Sequence, residues 1–163
     1  MYFISPTKGK LNFNDMMADI AEYITGLPTS SYKVIIGSDS QVKSETCFIT
    51  AVVVHRLGKG ARYYYRKRIQ RKIKSLRQKI FYETALSLEV GSRIANYLAE
   101  NGLDDLEVEI HIDVGKQGET RVETLFRTYT KKGTGDTVNG DQETGALFCY
   151  RYFVWRPEKE PGE

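Results

Sequence analysis

The chain has 163 residues, 24 Lys and Arg against 21 Asp and Glu, a formal net charge of +3 and two cysteines. A chain of this length forms one domain that buries about 70% of its unfolded surface, so no disulfide framework is required. No stretch approaches the roughly 20 apolar residues of a membrane span, and no basic-then-apolar leader opens the chain; a cytoplasmic protein without a membrane partner is expected.

Met1 to Phe13 reads as a short irregular lead. Asn14 is placed to cap a helix over Asp15 to Thr25, with Met16, Ile20 and Ile24 on one face and Gly26-Leu27-Pro28 stopping it. The apolar run Val34-Ile35-Ile36 suits a strand buried on both faces, and the polar Gly37-Ser38-Asp39-Ser40 follows it. Asp39 therefore falls at the carboxyl end of an interior strand. There it suits either the opening of a turn or a ligand position at the rim of the scaffold. Ser38 and Ser40 fit local turn hydrogen bonds.

Thr46 to Val54, ending at His55, and Ala61 to Gln70 are two further strands, and short connections make the three an antiparallel meander. Cys47 and Cys149 lie in apolar, strand-like runs without a CxxC or His spacing, which reads as buried thiols and not zinc ligands. From about Ser75 to Glu100 the period becomes helical, through Leu76, Ile80, Thr84, Leu88, Ala95 and Leu98. Glu107 to Asp113 then alternates, with Val108, Ile110 and Ile112 opposed to Glu107, Glu109, His111 and Asp113. A second stripe, Val122, Leu125, Phe126 and Tyr129, predicts a helix over Glu119 to Tyr129. After a Gly- and Thr-rich loop from Lys132 to Gly145, Ala146 to Trp155 is a last apolar strand.

This order predicts an α/β fold: a mixed five-stranded sheet, an antiparallel three-strand meander plus two parallel strands, with helices packed on its faces. A right-handed crossover makes the first and fourth strands parallel neighbours and brings Asp39 and Asp113 to one edge. The long helix packs across them, and Glu83 flanks its buried stripe. Clustered carboxylates repel one another unless a hard cation holds them, so Mg²⁺ or Mn²⁺ is the expected occupant. Such a site activates water for attack on a phosphodiester.

The surface charge has a matching bias. From Arg62 to Lys79 there are nine basic residues and no acidic one, with Tyr63, Tyr64 and Tyr65 inside the run as stacking surfaces for bases. Arg62, Arg66, Arg68, Arg71, Lys72 and Lys116 are the expected nucleic-acid contacts. A solvated charged face accounts for such a run equally simply. His111 suits either a satisfied half-buried histidine or one that orients a ligand carboxylate, and His55 reads as structural.

The segments IGSDSQ (Ile36 to Gln41), SLRQKIFYETALSLEVG (Ser75 to Gly91) and HIDVG (His111 to Gly115) together resemble the YkuK-type family of the ribonuclease H-like superfamily, over roughly residues 10 to 122. The resemblance implies a ribonuclease H-like fold over a single domain, 1–163, and a metal-dependent nuclease site. Asp39, Glu83 and Asp113 match the superfamily's three acidic positions, as metal ligands and catalytic residues. Glu89 competes with Glu83, although about 240° of helical rotation separates them. Where the superfamily ends on a helix carrying a fourth ligand, segment 123–163 departs from the pattern, and nothing places Asp136 or Asp141.

Three readings follow: a nuclease for RNA, DNA or hybrid, a nucleic-acid-binding module without turnover, and a phosphotransferase. The last is disfavoured because Ser40 to Thr46 contains no glycine with which to cradle phosphate.

Overall fold

A computed structural model of the chain describes residues 1–103, 105–113 and 149–150. The elements are β1 (Tyr2–Ser5), β2 (Gly9–Asn12), α1 (Phe13–Thr25), β3 (Tyr32–Val42), β4 (Thr46–Arg56), β5 (Gly60–Gln70), α2 (Leu76–Glu100), β6 (Glu107–Asp113) and β7 (Cys149–Tyr150). The strands lie in the order β2-β1-β5-β4-β3-β6-β7. The meander β3-β4-β5 is antiparallel throughout, and β6 runs parallel to β3 from Lys33↔Glu107 to Gly37↔His111.

The α/β mixed sheet agrees with the sequence reading, and three details differ. The lead is not irregular: it is a hairpin, β1-β2, that joins the sheet through Ile4↔Tyr65. Phe3 and Ser5 point into the core while Tyr2 and Ile4 stay exposed, an alternation too short to stand out in sequence. Because Asn12 ends this hairpin in extended conformation, it rather than Asn14 caps α1, its Oδ1 accepting the Asp15 N–H at 2.9 Å.

The second difference is at β7, which meets β6 antiparallel, with Ile112 opposite Tyr150 and Asp113 opposite Cys149. An antiparallel neighbour starts at the edge where β6 stops, so the intervening chain need not return across the sheet as a parallel crossover must. The expected helix Glu119 to Tyr129, and the expected last strand apart from 149–150, lie outside the described residues.

Third, both described helices cover the same face of the sheet. Met16, Met17, Ile20 and Ile24 of α1 and Leu88, Val90, Ile94 and Leu98 of α2 share one core with Val34, Ile36, Val52, Val54, Tyr64, Val108, Ile110 and Ile112. The β3, β4, β5 and β6 residues in this core are all even-numbered, each strand following the two-residue period of one face. Tyr63, Ile49 and Ile69 belong to the other parity and are exposed. The ring of Phe13 meets that of Tyr97 edge-on at 6.4 Å, which ties the two helices together.

Gly91 fixes how closely α2 approaches β6. A Cβ at this position would lie 2.8 Å from Ile110 Cδ1 and 3.3 Å from Cγ1. Gly91→Val is therefore expected to destabilise by about 1–3 kcal/mol through overpacking. In Gly91→Ala the gain in helix propensity, about 1 kcal/mol, offsets much of the displacement of Ile110. Urea midpoints followed by circular dichroism would check the order wild type ≈ Ala > Val.

Candidate functional site

The carboxyl half of β3 is clamped to α2 by hydroxyl groups. Ser38 Oγ lies 2.9 Å from both Thr50 Oγ1 and Ser87 Oγ, and the Ser40 hydroxyl donates to Glu83 Oε1 at 2.5 Å. These serines make tertiary bonds instead of the local turn bonds expected of them. The reason is that β3 does not end at Ile36: it stays paired with β4 as far as Val42↔Thr46.

Asp39 carries the local bond, its Oδ1 accepting the Ser40 N–H at 2.7 Å. Its side chain is exposed. Asp39 stands between Ser38 and Ser40, both turned to α2, so the strand alternation sends it to the opposite face of the sheet. On that side its register partner is Ile49, which is 39% exposed.

The pairing of β3 with β6 stops at Gly37↔His111. Asp39 and Asp113 each lie two residues further along these parallel neighbours, beyond their last mutual pair; Asp113 ends β6, whereas β3 continues past Asp39 to Val42. The two aspartates thus share one edge, whereas Glu83 stands on the helical side of β3. Glu89 reaches a different strand, pairing at 2.8 Å with Arg66 Nη2. Among the described residues no group of three or more His, Cys, Asp or Glu is placed to hold a metal.

The basic residues separate into two sets. Arg62 and Arg66 face the helices: Arg62 Nη1 is 2.8 Å from Asp19 Oδ1, with its guanidinium 4.5 Å from the Tyr23 ring centre, and Arg66 holds Glu89. Arg68, Arg71 and Lys72 are exposed. Arg68 lies in β5, its guanidinium 5.7 Å from the Tyr82 ring centre, and a hydrogen bond from the Ile73 N–H to Thr46 Oγ1, 2.8 Å, pins the loop of Arg71 and Lys72 beside the β3-β4 turn. Lys116, Asp136 and Asp141 lie outside the described residues.

Two carboxylates outside the expected set are buried. Glu109, 1% exposed, accepts from Lys33 Nζ at 2.9 Å and lies 3.0 Å from His111 Nε2. Glu109 is thus a partner of the half-buried His111. Asp19, 4% exposed, takes Lys8 Nζ and the Tyr64 hydroxyl at 2.5 Å each, besides Arg62. Burial alone would push the Asp19 carboxyl up, but hydrogen bonds from Lys8 and Tyr64 and the charges of Arg62 and Lys8 outweigh it, leaving the group below its ordinary value. Burial and then the bond to Asp19 push the Tyr64 phenol well above its usual range.

The family model described as Ribonuclease H-like matches residues 15–128. The chain is 32% identical over 164 residues to the uncharacterized protein YkuK of Bacillus subtilis (strain 168), a comparison that takes in 92% of this chain and 95% of that protein. Similarity therefore continues past Val122, into the segment 123–163 that carried no recognisable motif. No solved structure matches. With the meander, the parallel β3-β6 pair and the α2 crossover in place, the chain belongs to the ribonuclease H-like family.

Proposed function

We propose that the protein is a divalent-metal-dependent nuclease that hydrolyses phosphodiester bonds. The observation that supports this most is the parallel register of β3 and β6, whose last mutual pair, Gly37↔His111, lies two residues before Asp39 on one strand and two before Asp113 on the other. Carboxylate oxygens are hard donors and fit Mg²⁺ or Mn²⁺. Asp39 keeps Oδ2 without a protein partner among the described residues, so it has an oxygen to give. When bound, the ion supplies Lewis acidity toward the phosphodiester. The chain's own part is to hold the edge rigid through the Ser38–Ser87 and Ser40–Glu83 bonds, and to neutralise substrate phosphates with the exposed Arg68, Arg71 and Lys72.

A second reading, a nucleic-acid-binding module without turnover, is favoured by the placement of Glu83 on the far side of β3 from Asp39. Calorimetric titration with Mn²⁺ and Mg²⁺, combined with cleavage of labelled RNA, DNA and hybrid substrates, separates the two. Metal binding with metal-dependent cleavage supports the nuclease; nucleic-acid binding without cleavage supports the second reading. No metal binding at all would remove the carboxylate edge from consideration.

A further inference from the structure

The sheet face opposite the two described helices carries exposed aromatic rings. On β5 the strand alternation divides the three consecutive tyrosines: Tyr64 is fully buried against α1, while Tyr63, 49% exposed, and the half-buried Tyr65 lie on the open side. β1 adds Tyr2, 61% exposed, on the same side. Tyr65 has Ala51 beside it on β4, and Ala51 has Gly37 beside it on β3, so the neighbouring strands leave a low floor next to its ring.

Cations accompany the rings. Lys10 Nζ lies 4.4 Å from the centre of Tyr2, and Lys67 Nζ lies 5.9 Å from that of Tyr65. Strands β1, β2 and β5 contain no acidic residue. Exposed aromatic rings interleaved with cations at the β1-β5 side of this face match an anionic chain whose bases are free to stack. A duplex keeps its base faces inside its own stack and offers this surface only phosphates.

We infer that this face binds single-stranded nucleic acid, with bases stacked on Tyr63 and Tyr65 and phosphates met by Lys10 and Lys67. Asp39 is on the same face: it lies opposite Ile49 on β4, which lies opposite Lys67 on β5. A strand seated on the tyrosines is thereby led toward the edge that holds Asp39 and Asp113. That link to cleavage rests on the nuclease reading; the binding does not.

The test is fluorescence anisotropy with the full chain in EDTA, using labelled single-stranded RNA and DNA of about 12 nucleotides and the corresponding hybrid duplex. Either single strand is expected to bind about tenfold tighter than the duplex, and Tyr63→Ala with Tyr65→Ala to weaken it by about tenfold or more. Tyr63→Phe with Tyr65→Phe keeps the rings and is expected to retain affinity within about twofold. Should the double alanine variant fail to fold, Tyr63→Ser alone carries the test, because that ring is half exposed.

Equal or tighter binding of the duplex, or unchanged affinity without the rings, overturns the inference. So does a concentration-dependent dimer abolished by the same substitutions, which would assign the face to a second copy. Binding that survives while no cleavage is found defeats the nuclease reading alone.

Discussion

Asp19→Ala is expected to lower the unfolding free energy by about 3–5 kcal/mol, the cost of removing one partner from a buried ion pair. Asp19 is the common acceptor for Lys8, Arg62 and the Tyr64 hydroxyl, which come from the hairpin turn and β5. Without it the Tyr64 hydroxyl stays buried with no acceptor and the Arg62 guanidinium keeps a charge against the core. A domain of this size has about 5–15 kcal/mol of stability in total, so the variant should be close to unfolding at ambient temperature. Urea midpoints followed by circular dichroism would show it, and an unchanged midpoint would rule out the network as a structural tie.

The same group sets an acid limit. Its folded-state pKa is below the ordinary 3.8. Its contribution to stability is therefore fully present above that value and is lost as pH falls through the lower, folded-state one. The wild type should lose more of its urea midpoint between neutral pH and about pH 3 than Asp19→Asn does, since the amide does not titrate.

Asp39→Asn is expected to abolish measurable Mn²⁺ binding and to reduce cleavage by about 100-fold or more, as loss of several kcal/mol of charge stabilisation implies. The substitution is nearly isosteric, and its amide oxygen can still accept the Ser40 N–H, so the urea midpoint should not move. Glu83→Gln sharpens the outcome. Its side-chain carbonyl can still accept the Ser40 hydroxyl, so metal affinity should persist if Glu83 is only a strut for β3 and fall with Asp39→Asn if it is a ligand. Glu89→Gln should loosen Arg66 and leave metal binding as it was.

Much of the architecture could be read from the sequence because it rests on long periodic signals. The runs that became β3, β4, β5, α2 and β6 are 7 to 25 residues long, and the bounds of all but β3, which runs on to Val42, agree closely with expectation. The hairpin at the start escaped because two strands of four residues offer too few alternations to detect. That β3 and β6 are parallel neighbours was readable, because the long helix between them requires a crossover connection. The face taken by Glu83 was not, since it depends on whether Asp39 or Ser40 points toward α2, a parity that one residue of register reverses. Burial of Glu109 and Asp19 was equally hidden, because their partners lie far off in the chain, at Lys33 for one and at Lys8, Arg62 and Tyr64 for the other.

The single register contact between β1 and β5, Ile4↔Tyr65, leaves most of the outer backbone of β5 without a sheet partner among the described residues. An open strand edge of this kind is a template on which another copy of the chain can add its own edge. Lys67, Arg68 and Arg71 stand along or just past this edge, and in an antiparallel encounter they would face the same cations on the second copy. Like charges brought face to face in this way oppose edge-to-edge pairing. Neutralising them, by substitution or by a bound polyanion, removes the barrier to edge-to-edge growth.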